Sequence, residues 1–143
     1  MTQREIDKLA TALRFTLGGT AVAAGADKFF NLLTEWEKYL SPVVTDNIPM
    51  STKNFMRLVG VVEMAVGAGI LMGYERPAGY VCSAWLLAIV GNLLSRADYF
   101  DIAARDVNMA LEAFVLARLA GMKSATRTAS GEMDEGDHSE LAA

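Results

Sequence analysis

Residues 77–95, PAGYVCSAWLLAIVGNLLS, contain no charged side chain, although charged residues make up 21% of the chain. The hydrocarbon core of a bilayer is ~30 Å thick, and a helix needs about 20 predominantly apolar residues to cross it. A soluble helix of this length would carry charges on its solvent-facing side. The segment therefore predicts a helix that spans a membrane.

Three more apolar segments accompany this one, at residues 9–33, 54–73 and 102–121. The run of residues 58–74 is interrupted by a single charge, Glu63. Together with residues 77–94 they predict an all-α protein, an integral membrane antiparallel four-helix bundle in one domain of residues 1–123. Residues 124–143 are small, polar and acidic, which predicts a disordered tail.

The connection of residues 34–52 contains Trp36 and Tyr39, which favour the membrane–water interface. Thr34 and Glu37 have the spacing of a capping box, in which each side chain binds the other residue's backbone N–H. We therefore expect a short interfacial helix after the first span, ended by Ser41 and Pro42.

Small residues recur at helical spacing and predict where helix backbones approach closely. Three of them, Ala65, Gly69 and Gly73, are four residues apart, and Gly60 and Gly67 line a neighbouring strip. A similar row occurs in the fourth segment: Ala113, Ala117 and Gly121.

The positive charges indicate the orientation in the membrane. If the chain starts in the cytoplasm, seven Lys and Arg residues lie on that side: Arg4, Lys8, Arg14, Arg76, Arg118, Lys123 and Arg127. Two lie clearly on the other side, and four have an ambiguous depth. Because cytoplasmic segments are enriched in Lys and Arg, both termini are expected in the cytoplasm. The polar first ten residues do not have the pattern of a signal peptide.

The composition argues against several kinds of site. The chain has one cysteine, Cys82, and one histidine, His138. An intrachain disulfide, a bis-histidine haem and the usual Cys/His zinc site are therefore not expected, and no metal site is predicted. The Lys and Arg residues form no basic cluster, which makes nucleic acid an unexpected partner.

Glu63 and Glu112 fall near the middle of their segments, where a charge costs ~3 kcal/mol. We therefore expect both carboxylates to face the bundle interior. Glu112 shares a helical stripe with Asp101, Arg105 and Asn108. The cations expected to pair with these carboxylates from other helices are Lys28, Arg57 and Arg96. Two interpretations remain open: an ion-pair network that fixes helix register, or a polar cavity that binds a small molecule or relays protons.

Three short motifs stand in order between residues 13 and 121. They are GADKF at residues 25–29, GVVE at residues 60–63 with the glycines that follow, and DIAARD at residues 101–106 with ARL at residues 117–119. Because these motifs occur in this order in a chain of this length, the protein resembles the DoxX-like family of small four-helix bacterial membrane proteins.

The resemblance implies a multi-pass protein of the bacterial inner membrane with both termini in the cytoplasm. Relatives include the membrane subunit of thiosulfate:quinone oxidoreductases and partners of thiol or superoxide enzymes in oxidative-stress complexes. The family-like polar positions would be Lys28, Glu63, Arg105 and Asp106. The long connection and the acidic tail depart from the minimal family pattern.

Three functions compete at this point. The first is a membrane subunit of a redox system, whose quinone-accessible pocket is formed by Lys28, Glu63, Arg105 and Glu112. There a carboxylate would exchange the proton of quinone reduction, and a cation would hold an anionic sulfur substrate. The second is a non-catalytic anchor for a soluble partner. The third is a proton-coupled exporter of small solutes, which would require a homo-oligomer.

Overall fold

The computed structural model describes the backbone of residues 2–140 and the side chains of residues 2–123. Every regular element in this range is helical, and no strand occurs in it, which confirms the all-α prediction. The elements are α1 (Gln3–Asp27), a 3-10 helix (Trp36–Tyr39), α2 (Pro42–Thr45), α3 (Thr52–Leu71), α4 (Glu75–Arg96) and α5 (Phe100–Glu140).

The four long helices pack side by side. α1 packs mainly on α3, and α4 packs mainly on α5, while α3 also touches α4 and α1 also touches α5. α1 and α3 run antiparallel, because Gly18 contacts Gly67 while Gly25 contacts Gly60. α4 and α5 run antiparallel as well, because the start of α4 at Gly79 contacts Ala113, whereas its end at Leu93 packs with Ala103. The interior between the four helices is where any shared site must lie.

Glycines bring α1 and α3 into backbone contact at two points. A Cβ added to Gly60 would lie 2.5 Å from the carbonyl oxygen of Gly25, and one added to Gly67 would lie 2.7 Å from that of Gly18. Both pairs are seven residues apart on their helices, so one face of each helix carries the contact. The close packing of α3 on α1 therefore uses the Gly60–Gly67 strip. In the other predicted row, a Cβ added to Gly69 would lie 3.3 Å from Cβ of Ala78 on α4, and Gly73 ends α3 with a φ of +98°.

The α4–α5 contact depends on small side chains. A Cβ added to Gly79 would lie 2.9 Å from the carbonyl oxygen of Ala113 and 3.0 Å from Cβ of Ala117. These two alanines are fully buried, as the small-residue row of the fourth segment predicts. The same end of the molecule holds the main hydrophobic core: Ala10, Leu17, Ile70, Cys82, Ala113 and Leu116.

The connection after α1 is built differently from the sequence expectation. The 3-10 helix starts after Glu35, which makes no side-chain capping bond, so the capping box expected from Thr34 is wrong. Thr34 instead lies within 3.5 Å of the Tyr39 hydroxyl. The hydroxyl of Ser41 caps α2, whose first residue is Pro42. The short helix expected before Ser41 and Pro42 is present as this 3-10 helix, and its location at a membrane interface stays a prediction.

The last helix is longer than the apolar segment that begins it. The disordered tail predicted for residues 124–143 falls outside the residues whose side chains the structure describes, and it stays a prediction. The side chains of the acidic segment, and residues 141–143, lie outside the described residues.

Two of the described helices are long and apolar enough to cross a membrane, α3 and α4. In the most apolar 18-residue window of each helix, the buried share is only 28% for α3 and 22% for α4. A core helix of a soluble protein would be mostly buried. Large apolar side chains point outward on all four long helices, for example Phe15, Leu58, Leu87 and Leu111.

Candidate functional site

A cavity of about 700 Å³ lies between the four long helices, beneath the connection that follows α1. Its walls are mostly apolar, and each long helix contributes to them. It adjoins the main hydrophobic core, since Leu17 and Cys82 belong to the core and also line the cavity. Its polar lining side chains include Lys28, Glu63, Trp85, Asn92, Arg105 and Asp106.

A buried ion pair lies on the cavity wall. The Nζ atom of Lys28 lies 2.5 Å from Oε2 of Glu63, and the two side chains are only 4% and 12% exposed. The glycine contact positions this pair, because Lys28 follows Gly25 by three residues and Glu63 follows Gly60 by three. Residues three apart share a helix face. Close approach of the two backbones therefore brings the charges together.

The turn after α1 holds Trp36 over this pair. Asp27 accepts hydrogen bonds from the indole N–H of Trp36 at 2.8 Å and from the backbone N–H groups of Leu32 and Leu33. Nζ of Lys28 lies 3.8 Å from the centroid of the Trp36 ring, which is a cation–π contact. The adjacent residues Asp27 and Lys28 thus have different tasks, one closing the turn and the other facing the cavity.

A second ion pair lines the cavity from α5. Arg105 donates from Nε to Oδ1 of Asp106 at 2.9 Å, and its Nη2 lies 2.8 Å from the same oxygen. The Asp106 side chain is 6% exposed, whereas that of Arg105 is 60% exposed. The guanidinium therefore lies at the rim of the cavity and its carboxylate partner inside, and the charges of this pair cancel.

Side chains of α4 hold the connection after α1 over the cavity through hydrogen bonds. Asn92 donates to the carbonyl oxygen of Tyr39 at 2.7 Å and accepts from the backbone N–H of Ser41 at 2.9 Å. Arg96 donates to the carbonyl oxygen of Leu40 at 2.9 Å. The ring of Tyr39 packs edge-on against Tyr99. These bonds satisfy backbone groups that the irregular connection would otherwise leave open.

Four of the five residues predicted from sequence line the cavity: Lys28, Glu63, Arg105 and Asp106. Of the cations considered as partners of Glu63, the structure selects Lys28, since Arg57 is exposed and Arg96 binds the connection. The expectation that Glu112 faces the interior is wrong. The α5 face that meets the other helices carries Ala113 and Leu116, which leaves Glu112 exposed on the outer side.

Sequence reasoning gave no site role to Asp27, Trp36 or Asn92. The tasks of Asp27 and Trp36 depend on a nine-residue turn that has no periodic pattern. Trp85 and Asn92 are seven residues apart on α4 and both line the cavity. That spacing could have marked a common face, but nothing in it distinguishes a cavity wall from ordinary core.

No family model, curated protein or solved structure matches the chain. The resemblance to DoxX-like proteins therefore stays a prediction from short motifs. What the cavity does has to be argued from its own chemistry.

Proposed function

We propose that this chain is a DoxX-like integral membrane protein of the bacterial inner membrane, and that it serves as the quinone-binding membrane subunit of a redox system. The Lys28–Glu63 ion pair, buried beside an apolar cavity, is the observation that carries the proposal. A buried charge pair is costly to desolvate, and ionisable groups inside membrane segments are commonly functional.

Membrane insertion as an antiparallel four-helix bundle is supported by the outer surface. The apolar residues of α3 and α4 are mostly unburied, and large hydrophobic side chains cover the outside of the other long helices too. Lipid is the medium that such a surface fits. Arg14, Arg76 and Lys123 line one polar cleft at the end where α1 begins. Positive residues gathered there favour a cytoplasmic location for that end.

The cavity suits a lipophilic molecule with a small polar head. Ligand pockets typically enclose ~300–1,000 Å³ with apolar walls and a few convergent polar groups, and a cavity of about 700 Å³ falls in that range. The aromatic rings of Trp36, Tyr39 and Trp85 line it and supply flat surfaces for a quinone ring.

The ion pair gives the site a proton-exchanging group. A quinone, when bound, accepts two electrons and two protons. In this proposal Glu63 holds or releases a proton at its carboxylate, and Lys28 stabilises the ionised form from 2.5 Å. Electrons come from a partner oxidoreductase subunit.

The test uses tryptophan fluorescence. The chain has two tryptophans, and both line the cavity. Titrating the detergent-purified protein with a short-chain benzoquinone should quench the emission saturably. Glu63→Gln should change the binding affinity, whereas the matched variant Glu112→Gln, on the outer side of α5, should not. Quenching that rises linearly and equals that of free tryptophan in the same micelles would contradict quinone binding.

Anchoring of a soluble partner is the alternative outcome of this test. If Glu63→Gln leaves function intact and deletion of residues 124–143 abolishes co-purification with a partner, the anchor hypothesis replaces the redox one.

A further inference from the structure

The outer side of α5 carries an exposed stripe of polar side chains. Four of them follow one another at intervals of four, three and four residues, and all four are exposed: Asp101, Arg105, Asn108 and Glu112. Ala103 and Ala110 are buried, and each is two positions from two members of this set. Two positions correspond to about 200° around an α-helix. This polar stripe therefore faces away from the bundle.

The packing of α4 on α5 shows how deep the polar stripe lies. Gly79 lies against Ala113 near the start of α4. Near the end of α4, Leu93 packs in one cluster with Ala103. The middle of the uncharged segment of α4 is halfway between these two contacts, which makes it level with Asn108 on the antiparallel α5. A membrane that α4 spans therefore has Asn108 near its middle.

Two members of the polar stripe near this level are unpaired. Asn108 and Glu112 have no hydrogen-bond or ion-pair partner among the side chains described for residues 2–123. They are one helical turn, about 6 Å, apart along the axis, so both lie inside a hydrocarbon core that is ~30 Å thick. Polar groups in contact with acyl chains are costly, and carboxylates especially so. A bundle inserted in the membrane therefore needs a polar partner on this face of α5.

The spacing of the polar stripe favours a helix as that partner. Intervals of four and three residues alternate from Asp101 to Glu112, and the alternation continues to Val115, which is 40% exposed. This is the heptad spacing with which one helix packs along another. In membranes, polar side chains that bond across such contacts hold helices together. The polar stripe thus has the spacing and the chemistry of a seam between two helices.

A second copy of the chain fits the polar stripe poorly. Two copies with the same orientation in a membrane pair about an axis normal to it, and a central stripe then meets its own equivalent. Glu112 would face Glu112 and Arg105 would face Arg105, and like charges in contact repel. Arg105 is already paired with Asp106 at 2.8 Å. The charge left unpaired in the stripe is therefore negative, and a partner that supplies a cation complements it.

We propose that the polar stripe binds a membrane-spanning helix of a different polypeptide, which presents a Lys or Arg side chain to Glu112 and a hydrogen-bonding side chain to Asn108. This inference rests on the proposed function, in which the chain spans the membrane and receives electrons from a partner subunit. It names the surface that holds this subunit in the bilayer. The binding of a ligand beside the Lys28–Glu63 pair does not depend on it.

The experiment uses a synthetic probe in phosphatidylcholine vesicles. The probe is a membrane-spanning helix of leucine and alanine with one Lys near its middle, and the control peptide carries Leu in place of that Lys. Energy transfer from a dye on Lys8→Cys, in a Cys82→Ala background, measures association. The protein should prefer the Lys peptide roughly tenfold, and Glu112→Gln should remove most of this preference. The matched variant Asp98→Asn removes an exposed carboxylate outside the polar stripe and should preserve it.

An equal affinity for the two peptides, or an unchanged preference in Glu112→Gln, would overturn the inference and leave quinone binding intact. Energy transfer between two labelled copies of the protein that is lost in Glu112→Gln would also overturn it, because the face would then join copies of this chain. So would rapid labelling of Asn108→Cys by an impermeant maleimide in sealed vesicles, since water would cover the stripe. Labelling of Leu87→Cys as well would overturn the membrane location itself, and with it the proposed function.

Discussion

At the scale of single residues, the chain buries charge by pairing it. Lys28 and Glu63 come from different helices, and neither could remain ionised in an apolar interior without the other. Arg105 and Asp106 repeat the arrangement at the cavity rim. The sequence identified the residues that need partners from their position in apolar segments, but it could not choose the partner. Helix rotation, which composition does not specify, also sent Glu112 outward.

Removing one member of the buried pair should destabilise the protein strongly. We expect Lys28→Met to lower the free energy of unfolding by ~3–5 kcal/mol, because it leaves the Glu63 carboxylate buried alone. The double variant Lys28→Met with Glu63→Leu should be less destabilised than Lys28→Met. Unfolding in detergent, followed by circular dichroism, measures both. Additive effects in the double variant would contradict a direct interaction.

The turn after α1 provides a second prediction for single residues. Asp27→Ala should lower the free energy of unfolding by ~2 kcal/mol, because it removes the acceptor of three hydrogen bonds, from the N–H groups of Leu32, Leu33 and the Trp36 indole. Asp98→Ala is the matched control, since that carboxylate is 66% exposed. It should change stability by less than ~0.5 kcal/mol. Equal effects of the two variants would show that the turn does not depend on Asp27.

At the scale of helices, hydropathy predicts well which segments of the chain form the long helices. The segment of residues 54–73 corresponds to α3 at Thr52–Leu71, and residues 77–94 correspond to α4 at Glu75–Arg96. The packing faces were harder to predict. The sequence offers two glycine strips on α3, and only the packed structure decides that Gly60 and Gly67 meet α1. The turn that ends α3 uses Gly73 for its positive φ.

The glycine contact predicts opposite effects for two substitutions to alanine. Gly60→Ala should lower the free energy of unfolding by ~1–3 kcal/mol, because its Cβ would overlap the carbonyl oxygen of Gly25. At Gly19, by contrast, no atom lies within 4 Å of an added Cβ. Gly19→Ala should raise stability by up to ~1 kcal/mol, since alanine favours the helix over glycine. Thermal unfolding in detergent measures both, and destabilisation by both variants alike would argue against this helix contact.

At the scale of the whole molecule, the interior is divided into two parts. Apolar side chains fill the part around Ala10 and Leu116, and the cavity adjoins this part at Leu17 and Cys82. The connection covers the cavity through Asn92 and Arg96. Neither the cavity nor its cover appears in any local pattern, because both require elements more than 50 residues apart to meet.

Membrane insertion predicts how engineered cysteines react in sealed vesicles. In a Cys82→Ala background, Leu87→Cys should resist a membrane-impermeant maleimide, although Leu87 is 52% exposed in the structure. Lipid around α4 would keep the reagent from reaching this thiol. Lys8→Cys and Asp46→Cys should react from opposite sides of the membrane. Rapid labelling of Leu87→Cys without detergent would contradict a membrane location for α4.

The amino-acid sequence by itself determined that the chain is helical, which segments form the long helices, and that Glu63 needs a partner. Those conclusions depend on local composition and on the high free energy of an isolated charge among apolar groups. The tertiary structure decided the rest: Lys28 as that partner, the outward position of Glu112, and the cavity between the four long helices. Each of these depends on how a helix is rotated and on which neighbour it meets, and short-range periodicity carries no such information.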